Sequence, residues 1–296
     1  MNIYDQIGTN KWKTAFYIGI FLVFIIGIGY LFAWVYNKPA ILFIAVIIAI
    51  VQALASYYAG DTIALSLTHA GPTKKSDNAE LYRVVENLAI TAGIPAPKIY
   101  IINDDSPNAF ATGRDPKHSS IAVTSGLLDI MEKNELEGVI AHELSHIGNR
   151  DSLLMVVIVV LVGVVAIASD LFFRVGFWGG LGRDRDNNGG NGIVLLIGLA
   201  LAILAPIAAA LIQMAISRKR EFLADANGAL LTRYPEGLAD ALRKISDFKK
   251  PVRFSNDTTS LLFIMNPTKK RSWFSGLFDT HPPVEERIKA LEAMEG

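Results

Sequence analysis

Val139-Ile140-Ala141-His142-Glu143-Leu144-Ser145-His146-Ile147-Gly148 is the stretch around which the rest of the chain is read. It contains H-E-x-x-H. On a helix, residues i and i+4 lie on one face, one turn apart. His142 and His146 can therefore aim two imidazole nitrogens at a single ion. Glu143, beside His142, can reach a water bound to that ion. A hydrolytic zinc site uses this spacing, with the carboxylate as general base. The competing reading is two surface histidines flanking a glutamate.

The flanks support a helix. Asn134 followed by Glu137 reads as a capping box, and acids fill the first turn. Leu136, Ile140, Leu144 and Ile147 form an apolar stripe at helical spacing, and no proline interrupts it.

Composition narrows the class. The 296 residues are 51% hydrophobic and 19% charged, with mean hydropathy +0.35, too apolar for one or two soluble domains. Net charge is zero, so no basic field points to a nucleic-acid partner. With no cysteine, disulfides are excluded, and any zinc must be held by histidines and carboxylates.

The apolar residues are concentrated in runs. Lys11 and Lys13 precede an uncharged run over 15–36, long enough to cross a bilayer as a helix. Tyr30, Trp34 and Tyr36 suit the far interface. A cleaved signal peptide is disfavoured by the length of the run and by a second one over 40–60, directly after Asn37-Lys38-Pro39. Residues 61–151 then look soluble: an amphipathic helix over 76–92, strands over 98–103 and 119–124, and the H-E-x-x-H helix. A third apolar run covers 152–171 and a fourth 193–216, joined by a Gly-rich loop over 179–192. These two are either membrane spans, which their length favours, or a buried hairpin of a soluble domain. Residues 218–296 are soluble in character again, with a helix continuing from Arg218, another opened by Pro235, a short strand over 261–264, and a last helix started by Pro282 or Pro283.

Charge bias supports an even number of spans. Lys11, Lys13, Lys74, Lys75, Arg150, Arg218, Lys219 and Arg220 fall on one side, and Lys38, Arg174, Arg183 and Arg185 on the other. The first side is then cytoplasmic. Four spans put 61–151 and 218–296 in one compartment, so a single metal site can draw on both; three would separate them. Two histidines leave a catalytic zinc one protein ligand short. Glu221, just past the fourth run, is the best candidate. Asp225, one turn later on the same face, suits a hydrogen bond to the free nitrogen of a ligating histidine. By spacing alone a solvated helix face fits Glu221 and Asp225 equally well.

Four apolar runs, H-E-L-S-H between the second and third, and S-R-x-x-E-x-x-A-D after the fourth resemble the HtpX family of membrane-bound zinc metalloproteases, of gluzincin type. Asn108-Ala109-Phe110-Ala111-Thr112-Gly113 and Thr280-His281-Pro282-Pro283 belong to the same resemblance, which runs nearly the full length. It implies an α+β, mostly helical fold: a zincin-like domain joined to a four-helix transmembrane region. It implies one Zn²⁺ held by His142, His146 and Glu221, with Glu143 as general base and Asp225 behind the ligands. Asn108, Ala109, Phe110 and Ala111 would lie along an edge strand that holds an extended peptide. His281 would donate to the oxyanion, with Arg287 near it on the substrate side; a packing role at the start of the helix is the other reading of His281. The expected partners are the lipid bilayer and polypeptide substrates, namely damaged or misfolded membrane proteins of a bacterial envelope, with the catalytic domain facing the cytoplasm. Two rivals are a membrane-anchored metal scaffold without turnover and a transporter. The latter calls for ionisable residues inside the spans, where Asp170 alone comes close.

Overall fold

The computed structural model describes residues 3–178, 218–248, 250–253, 259–265 and 282–294; the fourth apolar run, the Gly-rich loop and His281 lie outside them. The described chain is mostly helical, with one four-stranded sheet. Helix α1 (Ile3–Tyr36) turns at Asn37, which has a left-handed φ of 49°, into α2 (Ala40–Tyr58). These are the first two apolar runs. Val23, Trp34, Phe43 and Ile47 stand exposed on them, as lipid-facing side chains would. Helix α1 begins well before its apolar run, at Ile3. Its first turns therefore carry Asn10 and Lys11 beyond the span.

Helix α3 (Gly60–Leu67) leads into the sheet: β1 (Gly71–Pro72), β2 (Lys98–Ile102), β3 (Ala109–Asp115) and β4 (His118–Thr124), in the order β1-β2-β4-β3. Strand β2 runs parallel to β4, and β3 pairs antiparallel with β4 in the register Ala111↔Ile121, so β3 is an edge. Helix α4 (Ala79–Ala92) buries Leu81, Val84, Val85 and Leu88 and ends at Gly93, whose φ of 67° suits a residue without Cβ. A short α5 (Ser125–Ile130) follows, capped by the Thr124 hydroxyl, which accepts from Leu127 N.

The H-E-x-x-H helix is α6 (Lys133–Asn149). Its capping box is Glu132 with Glu135, rather than Asn134 with Glu137. Glu135 is held there because Lys244 donates to its carboxylate at 2.8 Å. Helix α7 (Asp151–Trp178) follows at an angle of 81°. Arg150 makes the bend in the left-handed region (φ 63°).

Among the described residues, α1 and α2 are long and apolar enough to cross a membrane, and α6 with α7 passes as a bent third candidate. The described residues thus give two of the four expected spans, and the fourth run lies outside them. Helix α7 packs on α1, α2, α3 and β3, with Leu154, Val157, Ile158 and Leu161 buried.

Helices α8 (Arg218–Thr232) and α9 (Pro235–Asp247) close over α6. The approach is close. A Cβ at Gly138 would lie 2.6 Å from Leu238 N, and one at Gly228 would lie 3.0 Å from His142 N. Helix α9 buries Leu238, Ala241, Leu242 and Ile245 as its periodicity predicts, each large side chain contributing about 1.5–3 kcal/mol. The expected strand over 261–264 is instead a 3₁₀ turn (Thr259–Leu261) with bends after it. Helix α10 (Val284–Glu292) ends the described chain.

Candidate metal centre

Helix α6 presents His142 and His146 from one face, and α8 presents Glu221 across from them. The sequence separation between histidines and glutamate is bridged by the packing of α8 on α6. His142 Nε2 and His146 Nε2 are 3.1 Å apart. Glu221 Oε1 lies 3.7 Å from His146 Nε2, and Oε2 lies 3.9 Å from His142 Nε2. A tetrahedral ion with bonds of about 2.0–2.1 Å requires neighbouring ligand atoms roughly 3.3 Å apart. The observed separations bracket that value, so the three residues fit a metal ion.

The far sides of the rings explain their orientation. His142 Nδ1 is 2.9 Å from Asp225 Oδ1. His146 Nδ1 is 3.2 Å from Asp151 Oδ2. A carboxylate accepts only, so each Nδ1 carries its proton toward its partner, and each ring when neutral offers the lone pair of its Nε2. Two lone pairs and a carboxylate then converge on one point, which is repulsive unless a cation fills it.

The Peptidase family M48 sequence profile matches residues 75–295. The chain belongs to peptidase family M48. A protease HtpX homolog of Caldanaerobacter subterraneus subsp. tengcongensis is 46% identical over 99% of this chain and 98% of its own length. One from Lactobacillus helveticus is 44% identical over 99% and 100%. The crystal structure of S. mikatae Ste24p shares the fold, with TM-score 0.52 at 22% identity over 95% of this chain and 66% of that one. As an M48 member this chain is a metallopeptidase, and the two long apolar helices among its described residues fit a membrane protein.

Electrostatics in the M48 site separate the roles of its residues. Burial holds the His142 imidazole down at about 4, outweighing Asp225, so it is neutral near pH 7. Burial also opposes charge on His146, but the hydrogen bond to Asp151 and the Glu221 carboxylate push it up to about 9. Without a metal, His146 thus takes up a proton as its counter-cation. Burial drives Glu143 up to about 7; His146 pulls it down and Glu221 adds to the rise. Asp225 stays ionised, at about 2, because Arg287 overcomes its burial.

Two expectations change and one residue joins the site. Arg287 was expected on the substrate side; it is fully buried behind the ligands. Its Nε and Nη2 donate to Asp225 at 2.8 and 2.6 Å, and Nη1 donates to Ile264 O at 3.1 Å. A guanidinium needs such partners to be buried at all, and removing one side of this kind of pair costs about 3–5 kcal/mol. Second, much of the 108–111 stretch is committed internally. Asn108 Nδ2 donates to Met265 O at 3.0 Å, Ala109 O accepts from Ile264 N at 2.9 Å, and the Phe110 ring packs edge-on to Phe263. The Ala111 N–H donates to Glu143. These bonds narrow the edge that the sequence reading offered to an extended peptide. The added residue is Asp151, to which the sequence pattern assigns no role. It lies five residues past His146, out of reach on a continuous helix, and the bend at Arg150 brings it back.

Asp151 also accepts from Asn10 Nδ2 at 2.6 Å and lies 3.8 Å from Arg220 Nη1, tying α1 and α8 to the histidine. Asp151→Asn is expected to weaken metal binding roughly 10–100-fold, the usual cost of losing a carboxylate behind a ligand. Chelator competition on the purified protein measures it.

Proposed function

We propose that this M48 chain is a zinc-dependent endopeptidase of a bacterial cell membrane that cleaves misfolded or damaged membrane proteins. The observation that carries the reading is the convergence of His142 Nε2, His146 Nε2 and the Glu221 carboxylate beside Glu143. Two imidazole nitrogens and a carboxylate, with a fourth position left for water, suit zinc. His142, His146 and Glu221 would hold the ion, with Asp225 and Asp151 fixing the two rings. When bound, zinc supplies Lewis acidity toward a water and the scissile carbonyl.

The remaining chemistry belongs to side chains. Glu143 takes the proton of the attacking water and passes it to the leaving amide nitrogen. Its burial makes it more basic than an ordinary carboxylate, which suits both steps. Arg287 keeps Asp225 ionised and so keeps the His142 Nδ1 proton in place. The β3 edge aligns an extended peptide through main-chain hydrogen bonds, which carry little side-chain preference. The family resemblance supports His281 as the oxyanion donor.

The same reading divides the chain into a hairpin over 1–60, a first catalytic part over 61–151, a second hairpin over 152–217 and a second catalytic part over 218–296, with the metal side cytoplasmic. The Lys and Arg bias supports this orientation.

Casein, as an unfolded substrate, tests the activity. The detergent-purified chain is expected to cleave it, to stop when zinc is chelated, and to recover with about one equivalent of zinc. Full activity in the chelated sample would refute the metal dependence.

A further inference from the structure

A cavity of about 910 Å³ lies between α1 and the end of the β3–β4 hairpin, in the size range of ligand sites, roughly 300–1,000 Å³. Lys11, Thr14, Ala15, Ile18, Gly19 and Leu22 line one wall. They are one stripe of α1 at helical spacing, about 16 Å long at ~1.5 Å per residue. The stripe changes character along its length. Lys11 precedes the uncharged run, and Ile18 and Leu22 lie one and two turns inside it. Tyr57 of α2 and Leu153 of α7 add apolar surface.

The polar end is cationic. Arg114, Lys117 and Arg150 join Lys11 there, and Asp115 is the single carboxylate among the lining residues. Asp115 is already bound to His118 at 2.9 Å and lies 3.6 Å from Arg114. A site with excess positive charge at the membrane boundary and an apolar slot running into the membrane level complements one class of ligand: a phosphate head with an acyl chain.

We propose that this cavity binds one anionic phospholipid from the leaflet on the metal side, its phosphate among Lys11, Arg114, Lys117 and Arg150 and an acyl chain along Ile18 and Leu22. This rests on α1 crossing the bilayer, as the membrane reading above requires. The site lies at the far end of the same edge strand whose Ala111 meets Glu143. Its occupant would brace the catalytic domain against α1.

Native mass spectrometry of the detergent-purified full chain tests the proposal with three probes: phosphatidylglycerol, phosphatidylcholine and inorganic phosphate. One phosphatidylglycerol per chain is expected, held at least tenfold more tightly than either other probe. The double variant Arg114→Gln, Lys117→Gln is expected to lose that preference while keeping its zinc, which serves as the check on folding. Equal retention of the two lipids by the wild type overturns the proposal whether or not the variant folds. Phosphate binding as tight as phosphatidylglycerol overturns the lipid as occupant. A raised KM for casein in the double variant, with lipid retention unchanged, makes the cavity a substrate subsite and overturns it too. Zinc content in the same samples is an independent readout, so loss of the metal site and loss of lipid binding are told apart.

Discussion

Glu143→Gln is expected to keep one zinc per chain and to lower kcat on casein by roughly 10²–10⁴-fold, the usual contribution of a general base. The amide has the shape of the carboxylate but cannot take a proton, and it does not coordinate in the proposed site. The pH profile gives a second readout. Burial raises Glu143 from the ordinary 4.5 to about 7 in the metal-free protein, and a nearby cation lowers it again. The base works only when ionised. In the wild type kcat/KM should therefore fall on the acid side, about tenfold per pH unit below a working pKa between those two values. The residual activity of Glu143→Gln should lack that limb. If the limb survives in the variant, the titrating base is another group.

Glu221→Ala is expected to remove the metal rather than slow the chemistry. The loss of affinity should exceed the roughly 10–100-fold cost of losing a carboxylate behind a ligand, because a donor atom itself is gone. The fold should survive. Arg287 keeps both bonds to Asp225 and its bond to Ile264 O, so no buried charge is left unpaired. Thermal unfolding separates the cases. A ligand at about 100 times its Kd stabilises by about 2.7 kcal/mol, so zinc should raise the melting temperature of the wild type and leave that of Glu221→Ala unchanged. A variant that still binds one zinc tightly moves the third ligand elsewhere.

How much of this could be read from the sequence depended on distance along the chain. Histidines four residues apart share a helix face under any packing, so His142 and His146 were legible at once. Glu221 and Asp225 have the same spacing, but their face acquires meaning only when α8 lies against α6. The family resemblance supplied that pairing, and Gly228 against His142 shows how close it is. Asp151 was not legible, because its reach depends on one left-handed residue, Arg150. The depth of Arg287 was hidden for a similar reason: a periodic pattern says which face a residue occupies, not whether a charged partner waits beneath it. The capping box shifted because Glu135 has a partner on another helix, Lys244, and local pattern cannot register a tertiary bond. The β3 edge was found, yet its first residues are taken by Ile264 and Met265, which lie more than 150 positions away.

X-ray absorption at the zinc edge of the detergent-purified wild type tests the coordination sphere most directly. The chain has five histidines, so a three-imidazole site is possible in principle and a real competitor. The expected result is one zinc per chain with two imidazole nitrogens and oxygen donors at about 2.0–2.2 Å. A third imidazole in the shell, or a folded and active protein with no bound metal, would contradict the assignment of His142, His146 and Glu221.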